Sequence, residues 1–459
     1  MNKAKIYREN ILKNSGNSQE NSVAASQTKD LNIALKKKKA GAWVNAILPF
    51  NIAIGPIGTL VQLLILNLRG TVIDVALALA LFNAVGVPSA LIWGFITDRL
   101  HKRKPIIVGS YLAAAGILVS FLFANSGYLV SLLYAAFSFI TSASTTPLNL
   151  LIMETESKQK WATAFASFSM ITSVGQTVGL FLSVGLGFFI SLKYLVLPLA
   201  TLSIISAALS VLMIKEPNVV FERQMIAMNK PSFFSRILAV PFFFLRVPHL
   251  NDFKRIFRNI KYELTRHVPI LYFSIFMFYL ASGIFNTSLV PSLQANNISG
   301  FLIFFVTTIG MIIQVISFKY AGPYTEKKSP VKAAVAGLAL RSLAYGFLGV
   351  SVLLIPGVWF LAPVLIFYPI AAGIAYSVYY TASNTMVFNT LRAGRQGSSL
   401  GVYSALVGIA TLLGSLVSGF ASFFLSFSTT FLIAAGCLGF SAWLASLLKY
   451  HESKGSPTE

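Results

Sequence analysis

Twelve long stretches of this 459-residue chain carry few or no charges. Each has about 18 residues or more, which is long enough to cross a bilayer as a helix. The composition agrees with a lipid environment, because 56% of the residues are hydrophobic and only 11% are charged. The sequence therefore predicts an all-α polytopic membrane protein with twelve transmembrane helices. The predicted spans are 46–66, 71–96, 105–124, 128–153, 162–190, 194–214, 269–290, 299–318, 331–355, 359–388, 399–424 and 428–448.

Lysine and arginine are distributed very unevenly between the two ends of these spans. If the spans alternate in direction, 33 of the 36 cations fall in the two tails and in the loops after spans 2, 4, 6, 8 and 10. Positive residues of this kind mark the cytoplasmic side of a membrane protein. We therefore expect a multi-pass protein of the plasma membrane with both termini cytoplasmic. Residues 1–45 are expected to form a basic, disordered tail, and residues 449–459 a second, short tail.

The net charge of +22 is spread over one predicted membrane face and is not gathered on a folded domain. We therefore expect contact with anionic lipid headgroups and no nucleic-acid partner. The protein is expected to be a monomer. The single cysteine, Cys437, lies within the last span, so the sequence contains no disulfide framework.

The longest polar interruption separates the sixth and seventh spans. It predicts an N-terminal six-helix bundle over 46–214, a cytoplasmic central loop over 215–268 and a C-terminal six-helix bundle over 269–448. In the loop, apolar residues at helical spacing alternate with cations, which is typical of a basic amphipathic helix lying on a membrane surface. A calmodulin-like partner is the less favoured alternative. The residues of this pattern are Phe253, Ile256, Phe257, Ile260 and Leu264, with Lys254, Arg255, Arg258 and Lys261 between them.

The two predicted bundles repeat parts of each other in the same order. Residues 94–99 (GFITDR) resemble residues 322–327 (GPYTEK), and Asn149 near the end of span 4 matches Asn384 near the end of span 10. The glycines of span 5 also match those of span 11. All three matches have offsets of 228 to 235 residues, which favours a parallel duplication of six helices.

Residues 94–104 (GFITDRLHKRK) form a dense charged segment between two apolar runs. An acid in such a segment can accept hydrogen bonds from the free N–H groups at a neighbouring helix start, and the cations can contact carbonyl groups or acids. The segment resembles the signature between helices 2 and 3 of the major facilitator superfamily, Gly-x-x-x-Asp-Arg-x-Gly-Arg/Lys-Arg/Lys. Here His101 replaces the second glycine.

This resemblance covers residues 41–450 and implies two six-helix bundles around a central cavity, alternating between inward-facing and outward-facing states. It also implies a conformational latch, and the alternative is that these charges only set the topology. Two motifs of drug/proton antiporters are missing from the sequence: an arginine in helix 4, and a proline after the Gly-x-x-x-Gly of helix 5. The expected latch residues are Gly94, Asp98, Arg99, Lys102, Arg103 and, in the second copy, Glu326.

Helices 1, 4, 7 and 10 line the cavity in this superfamily, and each carries polar residues here. Those of helices 4 and 10 recur at i, i+4 and i+8, which places them on one helix face. Polar groups in lipid are unfavourable unless they face a cavity or a partner helix, so interhelical contact is the alternative for each. The predicted substrate-binding residues are Asn51, Gln62, Thr141, Thr145, Asn149, Tyr272, Tyr279, Asn286, Tyr376, Tyr380 and Asn384.

The middles of these four spans contain no acidic residue. A cation crossing a low-dielectric cavity normally needs a fixed acid, so the sequence predicts a secondary transporter for a small neutral or anionic polar solute. The alternative is an efflux pump or flippase for amphipathic or lipid-like compounds. Asp74 and Arg341 are candidates for coupling, although helix 9 is peripheral in the superfamily and a carbonyl or lipid phosphate would equally explain Arg341.

Histidine, cysteine and acidic residues do not cluster at metal-ligand spacing, and all four histidines lie in predicted cytoplasmic segments. The sequence also contains no glycine-rich phosphate loop after a strand. We therefore expect no catalytic residues, no cofactor and no bound metal, so the protein is not expected to be an enzyme.

The predicted orientation can be tested by labelling single cysteines in a Cys437→Ser background. A cysteine at Lys38, His249 or Lys454 should react only from the cytoplasmic side, and one at Ser126 or Asn296 only from outside. Membrane-impermeant maleimides applied to oriented vesicles provide the measurement. Labelling of position 296 from the cytoplasmic side would contradict the twelve-span topology.

Overall fold

The computed structural model of the protein describes residues 43–100, 103–155, 161–214, 268–390 and 396–454. All secondary structure in these ranges is helical, and twelve of the helices are long and apolar enough to cross a membrane. The prediction of an all-α polytopic membrane fold is therefore confirmed. The basic tail before Trp43, the amphipathic segment of the central loop and Lys102 lie outside the described residues.

We number the transmembrane helices α1 to α12 along the chain. The first half contains α1 (Trp43–Ile54 and Ile57–Asn67), α2 (Val72–Leu100), α3 (Lys104–Ser120), α4 (Gly127–Thr155), α5 (Trp161–Leu186) and α6 (Val196–Met213). The second half contains α7 (Val268–Ala295), α8 (Gly300–Lys328), α9 (Pro330–Leu354), α10 (Leu361–Pro369, a π-helical segment Ile370–Ala375, and Tyr376–Thr390), α11 (Gln396–Phe424) and α12 (Phe427–Lys454).

Helices α2 and α8 are longer than the sequence predicts. Hydropathy predicts ends at residues 96 and 318, but α2 continues to Leu100 and α8 to Lys328. The repeated segments 94–99 and 322–327 are therefore helical and do not form tight turns. Hydropathy falls where the hydrocarbon ends, whereas helical hydrogen bonds continue beyond it. Cations in the last turn of α8, Lys327 and Lys328, also interact favourably with the helix dipole.

Helices α1 and α7 lie at the centre of the molecule. Their membrane spans are 61% and 67% buried, against 28% for the spans of α2 and α5. The two halves contact each other mainly through α2 against α11 and through α5 against α8. We call the end of the bundle where α1 begins and α12 ends the basic end, and the opposite end the distal end.

The contacts between the halves extend from the middle of the bundle to the distal end. A Cβ atom on Gly408 of α11 would lie 2.1 Å from Val87 of α2, and one on Gly419 would lie 2.3 Å from the Cβ of Ala76. At the distal end, the rings of Phe188 and Phe301 are 4.0 Å apart. The described structure is thus closed at its distal end.

Glycines allow α1 and α5 to pack with their backbones in contact. A Cβ atom on Gly179 would lie only 1.9 Å from the carbonyl oxygen of Ile52. In the second half, α7 and α11 cross in the same way, because a Cβ on Gly414 of α11 would lie 2.3 Å from the carbonyl oxygen of Leu280 in α7. Small residues at such crossings are the usual means of close helix packing in membranes.

The crossing of α1 and α5 provides a test of this packing. Gly179→Ala should destabilise the protein by about 1–3 kcal/mol, because the added methyl group meets backbone atoms that cannot move aside. Thermal unfolding of the purified protein in detergent should show a lower midpoint. Gly185→Ala, in the same helix, is the matched control, since its Cβ would meet no atom within 4 Å. Equal midpoints for the two variants would contradict the close crossing of α1 and α5.

Candidate functional site

Asn286 is the one residue of the buried stretch 281–293 of α7 that is exposed. A helix that is covered on all its other faces does not face lipid at this point. The exposed amide must therefore open onto a space inside the bundle. Because the halves touch at the distal end, we infer that this space opens toward the basic end.

A group of polar aromatic residues lies on α7, α10 and α11 in the same half. The hydroxyls of Tyr279 and Tyr403 are 3.4 Å apart, and the Tyr403 hydroxyl donates to Oδ1 of Asn384 at 3.5 Å. The rings of Tyr376 and Tyr380 stack with their centroids 5.6 Å apart. We call Tyr279, Tyr376, Tyr380, Asn384 and Tyr403 the tyrosine cluster. Apart from Tyr403, its members are among the binding residues that the sequence predicts.

The chemistry of the tyrosine cluster suits a small polar solute with an apolar or planar portion. Each phenol hydroxyl both donates and accepts a hydrogen bond, and the Asn384 amide does the same through two different atoms. The rings offer flat apolar faces, and Phe318 packs against Tyr380 in a T-shaped arrangement with the ring centroids 5.8 Å apart. The side chains of all five members are partly exposed, so a solute could reach them.

The irregular backbone of α10 positions Tyr376 and Tyr380. Pro369 lacks an N–H group and interrupts the regular helix, and the π-helical segment Ile370–Ala375 follows it directly. Helix α9 packs closely here, since a Cβ on Gly337 would lie 3.0 Å from the carbonyl oxygen of Ala375. Because of this close approach, Arg341 in the next turn of α9 lies against Tyr376, the first residue of the last part of α10.

Arg341 faces the inside of the C-terminal half. It is only 3% exposed, and its Nε and Nη2 atoms donate to the Tyr345 hydroxyl at 2.9 and 2.7 Å. The expectation of a peripheral arginine that pairs with a carbonyl or a lipid phosphate is therefore wrong for this residue. Residues 337, 341 and 345 lie at i, i+4 and i+8 on the inward face of α9, and that face is buried throughout.

Asp74 lies in the first turn of α2, where it forms a capping interaction. Its Oδ2 accepts hydrogen bonds from the backbone N–H of Thr71 at 2.7 Å and from the Thr71 hydroxyl at 2.9 Å. The Thr71 hydroxyl in turn accepts a bond from the Asp74 N–H at 3.4 Å. This reciprocal arrangement is a capping box, so helix capping accounts for the acid at this position.

The predicted binding residues of the N-terminal half are more scattered. Asn51 is buried, donates to the carbonyl oxygen of Ile47 in its own helix at 3.0 Å and packs against Gly175 of α5. Gln62 is also buried, and its side-chain oxygen has no hydrogen-bond partner in the described part of the chain. Thr141 is half-buried and Thr145 is exposed, and both donate to backbone carbonyls of their own helix.

The remaining predicted residues lie nearer the basic end. Tyr272 is half-buried, two turns before Tyr279 on the same face of α7, and Asn149 belongs to α4. Among the predicted latch residues, Gly94, Asp98 and Arg99 form part of the last two turns of α2. Arg103 is buried just before α3, and Glu326 is exposed in the last turn of α8.

A separate cleft of about 480 Å³ lies at the distal end, between the two halves. Leu63 and Asn67 of α1, Gln294 of α7 and Phe301 of α8 belong to its lining. Gln294 is 15 residues from Tyr279 along α7, which corresponds to roughly 20 Å at 1.5 Å per residue. The cleft is therefore distinct from the tyrosine cluster and lies at the closed end.

Tyr403 is absent from the residues that the sequence predicts, because it lies outside helices 1, 4, 7 and 10. It is the only tyrosine in the predicted span 399–424, where most other residues are aliphatic or small. A single tyrosine in such a helix was the feature of the sequence that could have identified Tyr403 as a binding residue.

Comparisons with known proteins support the same architecture. The family model of the Major Facilitator Superfamily matches residues 42–258 and 271–459. No curated protein sequence matches the chain significantly.

Solved structures resemble the chain in fold. A mutant of the nucleoside transporter NupG superposes with a TM-score of 0.67 at 14% identity, covering 90% of this chain and 99% of its own. A mutant of the peptide transporter POT in complex with sulfate has a TM-score of 0.66 at 12% identity, with 90% and 94% covered. A bacterial homolog of the human lysosomal transporter Spinster, in an inward-facing and occupied conformation, has a TM-score of 0.63 at 16% identity, with 91% and 98% covered.

The internal space beside Asn286 can be tested without knowing any ligand. In a Cys437→Ser background, a cysteine at Asn286 should react with a membrane-impermeant maleimide applied to the basic end. A cysteine at the neighbouring Thr287, which is 0% exposed, is the matched control and should stay unmodified. Equal reactivity at the two positions would exclude a space that opens selectively at Asn286.

Proposed function

Since the chain belongs to the major facilitator superfamily, we propose that it is a secondary transporter. Its substrate is a small neutral or anionic polar solute, and it moves this solute across the plasma membrane by alternating access. We assign the basic end to the cytoplasm, because 33 of the 36 lysines and arginines belong to the predicted tails and loops on that side of the spans.

The observation that carries the proposal is the tyrosine cluster beside the exposed Asn286. Phenol and amide groups inside a membrane bundle are unfavourable unless they meet each other, water or a ligand. Here they converge from three helices, and the central helix α7 opens to solvent two turns away. Such a convergence of phenol and amide groups from three helices is what a solute-binding cavity requires.

The contacts between the halves support alternating access. The described structure is closed at the distal end through the packing of α2 on α11 and through Phe188 against Phe301. The contacts just named are apolar, so these residues can separate without losing a hydrogen bond to each other. We propose that the charged segment around Asp98 acts as the latch at the basic end when the distal end opens.

The positions of the acidic residues support a neutral or anionic solute. The acids that the structure describes in the first half are Asp74 in the first turn of α2, Asp98 in its last turn and Glu154 at the end of α4. Asp74 caps α2, so its carboxylate already accepts two hydrogen bonds. Among the described residues, no carboxylate lies at the level of the tyrosine cluster, and desolvating a cationic solute there would be costly.

A flippase or efflux pump for amphipathic compounds is the second candidate. The aromatic faces of Phe318, Tyr376 and Tyr380 favour it, because they would also accept an apolar chain or ring. The two functions differ in what crosses the membrane, which makes them separable by experiment.

Reconstituted vesicles test the proposal directly. Counterflow of a panel of radiolabelled neutral and anionic solutes should show selective uptake, while fluorescent lipids should not be translocated. Because no acid among the described residues lies at the level of the cluster, an imposed pH gradient should leave the transport rate unchanged. Selective transport of an organic cation, or lipid translocation without solute counterflow, would contradict the proposal.

A variant connects any measured transport to the tyrosine cluster. Tyr403→Phe removes the hydroxyl that joins Tyr279 to Asn384, and transport should fall roughly two- to tenfold, as expected for a neutral hydrogen bond. Tyr320→Phe is the control, because that side chain is 64% exposed near the basic end of α8. Full transport activity of Tyr403→Phe would show that the tyrosine cluster is not part of the transport pathway.

A further inference from the structure

Arg341 is a buried charge in the middle of the membrane-spanning part of the protein. It lies halfway along the 25-residue helix α9 and is 3% exposed. An arginine guanidinium does not lose its proton in proteins, so the side chain remains a cation. Burial of a charge in a low-dielectric interior is very unfavourable unless a counter-charge and hydrogen bonds compensate it.

The neighbours of Arg341 compensate its charge only in part. Nε and Nη2 share the Tyr345 hydroxyl, and the Cζ atom lies 4.7, 5.2 and 5.4 Å from the ring centroids of Phe278, Tyr345 and Tyr376. Aromatic faces attract a cation but do not neutralise it. The Nη1 atom is buried and has no hydrogen-bond partner among the residues that the structure describes.

The C-terminal half supplies no carboxylate for this cation. Glu326 and Glu452 are the only acidic residues between positions 268 and 454 of the sequence. Glu326 is exposed in the last turn of α8, and Glu452 belongs to the last turn of α12. Both turns are at the basic end, whereas Arg341 lies at the middle of its helix. The counter-ion of Arg341 must therefore come from outside this half.

We propose that Arg341 binds an oxyanion group of the transported solute, a carboxylate or a phosphate. One hydrogen of Nη1 and the second hydrogen of Nη2 point the same way and form the donor edge of the guanidinium that Tyr345 leaves free. A planar carboxylate or a phosphate accepts two parallel hydrogen bonds from such an edge. This inference rests on the proposed transport function and narrows its solute to an anionic one.

Tyr376 connects this site to the tyrosine cluster. The ring of Tyr376 contacts the guanidinium of Arg341 and also stacks on the ring of Tyr380. It is half-buried and directly follows the π-helical segment Ile370–Ala375, where the helix is least regular. Tyr376 is the neighbour of Arg341 that moves when the oxyanion arrives.

Binding can be measured on the purified full-length protein without a transport assay. Sodium acetate, benzoate and phosphate are titrated at constant ionic strength, with acetamide and benzamide as neutral isosteres, and the thermal unfolding midpoint is followed. At least one oxyanion should raise the midpoint, whereas the amides should not. A carboxylate effect identifies an organic acid group, and an effect of phosphate alone identifies a phosphate group.

Three variants test whether Arg341 is responsible. Arg341→Met should weaken the apparent anion affinity roughly tenfold to a hundredfold, as expected when charge-assisted hydrogen bonds are lost. Arg341→Lys keeps the charge without the planar fork and should show a smaller loss, so it provides the test if the methionine variant does not fold. Lys319→Met removes an exposed cation near the Tyr320 ring and should leave the affinity unchanged.

The proposal is overturned if no oxyanion stabilises the wild-type protein, or if Arg341→Met or Arg341→Lys responds like the wild type. Failure of this site is distinguishable from failure of the transport proposal. If a neutral solute shows counterflow but no anion stabilises the protein, the transport function is supported and only the oxyanion site is rejected.

Discussion

The absence of water in the bilayer core is the constraint on which the rest of this structure depends. Backbone N–H and C=O groups must be paired within each span, which only helices achieve in an open bundle. Short hydroxyl side chains meet the same requirement locally. Ser282 and Thr381, for example, donate to the carbonyl oxygens of Phe278 and Ser377 four residues earlier. Asparagine can do the same, as Asn51 does with a carbonyl oxygen of its own helix, but its amide keeps further hydrogen-bonding capacity. The polar groups of tyrosine and arginine lie further from their own backbone, so these residues mark the places where other helices or ligands must satisfy them.

Within each half, helices are joined by contacts that are both close and polar. Ser274 and Ser441 link α7 to α12 through hydroxyls 3.0 Å apart, and Ser342 of α9 donates to the carbonyl oxygen of Ala435 in α12 at 2.7 Å. In the first half, Ser138 of α4 donates to the carbonyl oxygen of Phe82 in α2 at 2.7 Å. The contacts described between the halves are apolar by comparison. This difference is what the proposed alternating access requires, because each half would move as a unit while the contact between the halves opens.

The two halves have related sequences, but their polar residues have different roles. In the first half, Asn51 faces α5 and serves the packing of α1, while Asp74 caps α2. The second half gathers its polar groups around α7 and α10, next to a buried cation that its own acidic residues do not neutralise. We propose that the solute is held mainly by the C-terminal half, and that the N-terminal half provides the opposing wall.

The sequence by itself determined the number of spans, their order and the faces of α7 and α10 that carry tyrosines, because hydropathy and helical periodicity depend only on residues close together in the chain. It also revealed the family through a short charged motif, although the helices that carry this motif and its second copy proved longer than their apolar spans. Only the tertiary structure decided that Tyr403 joins Tyr279 to Asn384, that Arg341 faces inward and that Asn51 faces α5. Those outcomes depend on the rotation of each helix about its axis. That rotation is set by close contacts, such as Gly337 against Ala375 and Gly179 against Ile52, between residues far apart in the sequence.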